Sequence, residues 1–479
     1  MCIVRGMTKM PDIKELTPEQ KDALIIDLVR RLNELEAKLE KDSHNSSKPP
    51  SSDGPKRKPK SLRNTSDARP RAQPGHKGKT LKRVAQADHI EIHPVARVCD
   101  KCGNRIAAAS VAVLPEGRQV IDLPPTRFEV TEHRVQIAQC RCCGKQHSGA
   151  FPKGVSQAVQ YGPQIRAAAV YLTQYQQLPV ARTAQALEDL FGLHVSTGTV
   201  QHSIDQAAQL LAPCVDQIQQ ALRGQPVVHF DESCMRVGRE SHWLHVASTH
   251  ALSWYGAHSK RGSQALDSFG ILPGFTGVAV HDGWRPYAGY ECEHALCNAH
   301  HLRELVFVLE STQQPWAQQM IDLLRQAKRE VELSRASGNN MLSPARQRYY
   351  TRRSRALIAR ARKLNPQQAR EPLRQERRGR IRQSFTCNLL TRLHKYADEV
   401  WRFIADHRVP FDNNQAERDI RMPKLKQKIS GCFRSESGME AFCTIRSYLA
   451  TLRKQNRSLI NALALGFAGF VVSPLVTAE

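Results

Sequence analysis

Acidic residues are scarce in this chain. Only 45 Asp plus Glu stand against 70 Lys plus Arg, a formal net charge of +25 over 479 residues. A solvated surface alone does not account for that imbalance, which points to a polyanionic partner. The N-terminus lacks the apolar core of a signal peptide, so a cytoplasmic protein is expected. No basic amphipathic helix adjoins an apolar anchor, which favours nucleic acid over acidic lipid. An uncharged run does extend from Leu459 to Val476, but Asn461, Gly466, Gly469, Ser473 and Pro474 interrupt it. A buried terminal helix is expected there, and no membrane span. Cysteine is not scarce: thirteen, an odd number, suit a reducing compartment and metal ligation better than a disulfide framework.

The length allows several domains. Within residues 1–42, Ile25, Leu28, Leu32, Leu35 and Leu39 fall three and four residues apart, with Arg31, Glu34 and Lys38 off the seam. That a/d pattern spans only about two heptads. It fits either a helix packed on its own domain or, the preferred reading, a short coiled coil that makes a homo-oligomer. Residues 43–90 carry almost no large apolar side chains and should form a flexible linker. From Lys48 to Arg83 twelve Lys or Arg face only Asp53 and Asp67. Such an arm either tracks phosphates without reading sequence or merely keeps the chain soluble.

Residues 91–153 hold two knuckles of one form, Cys-x-x-Cys-Gly. The first is Cys99, Cys102 and Gly103; the second is Cys140, Cys143 and Gly144. Two thiolates at this spacing chelate one ion from a tight turn, and the glycine permits the positive φ such a turn needs. The four sulfurs Cys99, Cys102, Cys140 and Cys143 complete a closed structural Zn²⁺ site, a zinc ribbon. The stretch RFEVTEHRVQIAQC alternates like a strand delivering the second pair. Cys142 is a spare, and His133 or His147 is a substitute ligand.

Residues 154–223 turn helical. VARTAQALEDLF ends at Gly192, a natural C′ residue, and Ser196 is a good N-cap for the next helix. Two short helices about a tight turn match a helix-turn-helix, which would present Thr197, Thr199, Gln201 and His202 to DNA. An ordinary helical hairpin has the same pattern.

Residues 224–440 read as a catalytic domain. PVVHFDES is an apolar strand ending in Asp231 and Glu232, and GVAVHDGW repeats the design with Asp282. Three strands, a helix, a strand, a helix and a strand give the order of a ribonuclease-H-like fold, a mixed sheet flanked by helices. In that order the first and fourth strands are neighbours, so Asp231 and Asp282 meet. Facing carboxylates call for a shared proton or bound cations, and hard oxygens suit Mg²⁺ or Mn²⁺. The third acid is sought in PFDNNQAERDIRMPKLKQK. Glu417 is the candidate there and Asp419 the reserve. Asn414-x-x-Glu417 also fits a capping box, which would need no catalysis. Arg418, Arg421, Lys424, Lys426 and Lys428 follow as candidate phosphate contacts. Between the second and third acids the chain is basic, with fourteen Lys or Arg from Arg346 to Arg382 against Glu371 and Glu376. A gap of that length implies a helical insertion, about 311–385, that grips DNA. Residues 441–479 form a C-terminal helical region.

The leucine seam, NSSKPPSSDG, the paired knuckles, HFDES, HDGW, CNAHHLREL and NNQAERDIR together resemble the transposases of insertion-sequence family sixty-six, members of the DDE group. The resemblance implies a metal-binding triad of Asp231, Asp282 and Glu417 that cleaves double-stranded DNA at element ends and joins it to a target. Small accessory proteins of the same element are further implied partners. Cys297-x-x-His300 resembles a signature several DDE families carry, and Cys292, His294 and His301 are near it. It is read as a packed Cys and a hydrogen-bonded His bracing the last strand, with a second zinc site as the alternative. Two other functions compete: a ribonuclease-H-like nuclease that does not join strands, and a DNA-binding regulator derived from an inactive transposase.

Overall fold

The computed structural model of the chain describes residues 17–39, 41–42, 44–46, 84–93, 95–108, 118–122, 128–367 and 383–474. The basic tract from Lys48 to Arg83 and the basic residues from Arg370 to Arg382 lie outside them. Helix α1 (Pro18–Leu39) carries the leucine seam, and its Ile25, Leu28, Leu32 and Leu39 are each more than half exposed. Residues 44–46, expected to open the flexible linker, are docked instead. Asn45 is buried and donates through Nδ2 to Glu310 Oε2 at 2.9 Å.

The knuckle region holds a hairpin of β1 (Ile137–Gln139) and β2 (Gln146–Ser148), paired antiparallel around the second knuckle. The longer strand suggested by alternation shrinks to three residues because β2 offers a ladder of only three. Helices α2 (Pro163–Val170), α3 (Val180–Phe191) and α4 (Thr197–Arg223) follow. Gly192 closes α3 at φ 67°, and Ser196 Oγ accepts from Thr199 N at 3.1 Å to open α4. The expected second short helix is in fact 27 residues long. Ile204, Ala207, Leu211, Val215, Ile218 and Leu222 recur on one face, which the core buries along nearly its whole length.

The sheet comprises β3 (Val227–Val237), β4 (Glu240–Ser248), β5 (Ser253–His258), β6 (Val278–His281) and β7 (Glu293–Leu296), with α5 (Ser263–Phe269) between β5 and β6. Its spatial order is β5-β4-β3-β6-β7. Strands β3, β4 and β5 pair antiparallel, while β3, β6 and β7 run parallel. The helix expected between β6 and β7 is only a 3₁₀ turn, Arg285–Gly289, opened by Pro286. Side chains alternate between the two faces. Val228, Phe230 and Ala279 join the core built with α4, whereas Met235 and Val237 pack with Ala416, Ile420 and Phe442.

Beyond β7 come α6 (Asn298–Thr312), α7 (Pro315–Ala336), α8 (Pro344–Leu364), α9 (Phe385–Lys395) and α10 (Ala397–Ala405). They share a second core that includes Leu324, Tyr350, Leu357, Leu390 and Trp401 and reaches Val278 and Val280 of β6. The inserted block thus runs past its expected end near 385, because α9 and α10 bury their apolar faces in the same core. Helix α11 (Asn414–Ile429) then returns to the sheet, followed by α12 (Glu436–Lys454) and α13 (Leu459–Phe467). Leu459, Ala462 and Leu463 of α13 are buried, and no helix among the described residues is long and apolar enough to cross a membrane. The architecture is multidomain α/β, a five-stranded mixed sheet flanked by helices.

Candidate active site

The parallel register between β3 and β6 places the first two acids. Val227, Val228 and His229 pair with Val278, Ala279 and Val280. Two steps further along the same register, Asp231 stands level with Asp282. Asp231 is not at a strand tip, however. Strand β3 continues to Val237 against β4, and only its parallel partner β6 stops, at His281. The stop is built into Asp282 and Gly283: Trp284 N donates to Asp282 Oδ1 at 2.8 Å, and Gly283 adopts φ 88°. Asp231 has the strand parity of Met235 and Val237, so it lies on the sheet face that α11 covers. Glu417 is in the first turn of α11.

The charges of the neighbouring acids bear on Asp231. Burial first, then the charges of Glu232, Asp282 and Glu417, hold the Asp231 carboxyl well above the usual carboxylate range. The three carboxylates are not drawn into one group here, Asp231 lying in β3, Asp282 just past β6 and Glu417 on α11, but three hard oxygen donors of this kind would suit a divalent cation, which would relieve the repulsion at Asp231.

Asn413 fixes Glu417 relative to the strand. Its Nδ2 donates to Phe230 O at 2.8 Å, its Oδ1 lies 2.8 Å from His229 Nδ1, and its backbone N donates to Cys297 Sγ at 3.1 Å. The first turn of α11 is therefore clipped to the residues just before Asp231 and to the end of β7. This arrangement removes the capping box, because the N-cap is Asn413, whose side chain makes no cap bond. The Glu417 carboxylate instead lies 3.8 Å from His300 Nδ1 and 3.8 Å from Arg303 Nη2. Asp419, the reserve acid, is committed elsewhere: Lys454 Nζ at 2.8 Å, Gln415 Nε2 at 3.1 Å and Ser253 Oγ at 3.2 Å all donate to its Oδ2.

A fourth acid, Glu232, was assigned no role from sequence. Its side chain is 2% exposed, and it accepts from Tyr287 Oη at 2.6 Å and from Arg261 Nη2 at 2.6 Å. The Arg261 guanidinium in turn sits between the rings of Trp243 and Trp284, 4.7 and 4.3 Å from their centroids. Burial, followed by the charge of Asp282, raises the Glu232 carboxyl, while Tyr287 and Arg261 oppose that rise. Adjacency to Asp231 was the available signal; its partners lie far apart in sequence.

Cys297 is buried, and its backbone N donates to His281 O at 2.9 Å, which ties the end of β7 to β6. That half of the bracing expectation holds. The His half does not: His300 Nδ1 is buried with no hydrogen-bond partner. Among the described residues, Cys297, His300 and Glu417 are the group of metal-capable side chains gathered within 4.8 Å of one another.

The two knuckles close as expected locally. Gly103 N donates to Cys99 O and Gly144 N to Cys140 O, both at 2.9 Å, with φ 71° and 72° at the glycines. Hydrogen bonds from the backbone of Cys102 and Lys101 lower the Cys99 thiol, and those of Cys143 and Cys142 lower Cys140. Turns that favour thiolates fit Zn²⁺, although the four sulfurs are not drawn into one group. Thr197, Gln201 and His202 are exposed at the start of α4, while Thr199 Oγ1 lies 2.9 Å from Ser196 Oγ. Arg418, Arg421, Lys424 and Lys428 are exposed on α11. Lys426 is set apart from them: its ammonium donates to Ser430 Oγ at 2.9 Å and lies 4.8 Å from the Phe433 ring centroid.

A five-stranded mixed sheet with Asp231 on its central strand and Asp282 after the neighbouring one, and a knuckle module ahead of it in the chain, characterises this α/β protein. The chain belongs to the IS66 family of transposases. The family model described as "Transposase IS66 family" matches residues 158–441, more than half of the chain, and that for the "zinc-finger binding domain of transposase IS66" matches residues 96–144. A model for a family of unknown function matches residues 9–82. No curated protein matches the chain.

Proposed function

We propose that this protein is a DDE transposase that binds the ends of its element and catalyses DNA strand cleavage and strand transfer. The observation that carries this is the parallel register of β3 and β6, which, carried two residues on, sets Asp231 level with Asp282, with α11 bringing Glu417 over the same face. The order β5-β4-β3-β6-β7 places the first strand of the sheet beside the fourth, which supports a ribonuclease-H-like core. Asp231, Asp282 and Glu417 would hold Mg²⁺ or Mn²⁺, which when bound supplies an acidified water and charge stabilisation for the leaving 3′ oxygen. The chain's own part is positional. Asn413 holds Glu417 against β3, the Asp282–Gly283 turn presents the second carboxylate, and the Arg261–Glu232–Tyr287 cluster supports the sheet beneath Asp231.

DNA contacts follow from exposed charge. Arg348, Arg352, Arg353, Arg355, Arg360 and Lys363 are exposed along α8, a basic face suited to phosphates. Arg346 is excluded from that role by its paired bonds to Glu330 at 2.7 and 2.6 Å. The opening of α4 serves as the helix-turn-helix surface, and the exposed seam of α1 supports a coiled coil between copies. Zinc in the knuckle module is structural. The test is incubation of the purified protein with Mg²⁺ or Mn²⁺ and DNA bearing element ends. Nicked and joined products are expected. Nicking without joining would leave the nuclease reading, and binding without either would leave the regulator.

A further inference from the structure

Glu417 faces two donors that a magnesium site does not use. Its Oε1 lies 4.0 Å from Cys297 Sγ and 3.8 Å from His300 Nδ1. All three ligand atoms lie within 4.8 Å of one another. Zinc held at ordinary bond lengths by sulfur, nitrogen and oxygen sets its ligand atoms about 3.3–4 Å apart, so the group needs to contract only slightly. A thiolate, an imidazole and a carboxylate form a soft-to-borderline set that selects Zn²⁺ over Mg²⁺, which asks for six oxygens.

The surroundings favour a ligand here. Nδ1 of His300 is buried without a hydrogen-bond partner, the Glu417 carboxylate at 3.8 Å lying beyond hydrogen-bond reach. The sulfur already receives the Asn413 N–H at 3.1 Å, a bond that holds it in place. Elements from three parts of the chain supply the group: the end of β7, the first turn of α6 and the first turn of α11.

We infer that Cys297, His300 and Glu417 form a zinc-class metal site whose occupancy withdraws Glu417 from the catalytic acids. Zinc binding displaces the thiol proton of Cys297, which passes to water. The fourth position is left to water, since the protein offers three donors. Occupied, the site is an off state; emptied, it frees Glu417 to face Asp231 and Asp282. The zinc site itself stands independently of the triad, whereas the off state rests on the reading of Glu417 as third acid.

The test uses full-length protein equilibrated with excess zinc and freed of unbound metal. Cys297→Ser and, as a less buried second variant, His300→Gln should each hold one zinc fewer per chain than wild type. Each should bind that zinc at least about tenfold more weakly. Zinc titrated into Mg²⁺-supported cleavage should inhibit wild type, and each variant, scored against its own zinc-free rate, should resist. Unchanged zinc content in both variants overturns the site. Lowered zinc content with undiminished inhibition overturns the off state. If Glu417→Gln loses the zinc yet still cleaves with Mg²⁺, the site stands and the triad reading falls.

Discussion

Replacing Asp231 with Asn should stabilise the metal-free protein while destroying its proposed activity. The register of β3 and β6, carried two residues on, sets Asp231 level with Asp282 in the turn that ends β6. Two like charges ~5–7 Å apart at an effective dielectric of about 20 repel by ~2–3 kcal/mol. Partial access to water lowers this to ~1–3 kcal/mol. Because Asp231 takes up a proton more readily folded than unfolded, its contribution to stability is intact below its ordinary pKa of 3.8. That contribution is lost as pH climbs through the raised value. Without metal at pH ~7, the Asn variant should therefore exceed wild type by ~1–3 kcal/mol, and the gap should close as pH falls toward 3.8. Mg²⁺ at 100 times its dissociation constant should add about 2.7 kcal/mol to wild type and far less to the variant. Urea unfolding followed by tryptophan fluorescence reads all of this, since Trp254 is packed in the sheet core. An Asn variant less stable than wild type at neutral pH without metal would refute the reasoning. So would an equal gain from Mg²⁺.

Glu417→Gln should abolish cleavage and joining in the strand-transfer assay while leaving end binding within a few fold, because the carboxylate caps no helix; retained activity would remove it from the triad. Asn413→Ala should cost about 2–4 kcal/mol in a denaturant titration, because it strips buried partners from His229 and Phe230 O. Cys99→Ala or Cys140→Ala should lower zinc content and unfold the knuckle module, seen as protease sensitivity confined to residues 91–153. Neutralising Arg352, Arg353, Arg355 and Arg360 should flatten the salt dependence of DNA affinity, measured by fluorescence anisotropy, by about 0.9 for each phosphate left without its arginine.

What the sequence made legible was whatever a local pattern encodes. Alternation and β-branching marked β3 and β6, and a glycine in each knuckle foretold φ 71° and 72°. The capping residues Gly192 and Ser196 were readable for the same reason. Pattern failed where tertiary contact decides. The length of α4 is set by a core far away in the chain, and the extent of the helical block by partners that α9 and α10 find across it. Asn414 looked like a cap because spacing alone cannot show that Asn413 is drawn into β3. Glu232 sat in plain view beside Asp231, yet Arg261 and Tyr287 become its partners only once the chain is folded.

The helical block leaves the sheet after β7 and comes back at α11, and its two ends are fastened together: Asn298 N donates to Phe411 O at 3.0 Å, and Asn298 Nδ2 to Val400 O at 2.9 Å. The block is therefore anchored at a closed clasp and along the edge of the sheet that its core touches. Helices α7 and α8 can lengthen, shorten or exchange their exposed side chains at the ends far from the sheet without shifting Glu417, so long as the clasp residues persist. The span of the block and the geometry of the acids can then vary separately, and a grafted block of another size would serve if it ended in the same clasp.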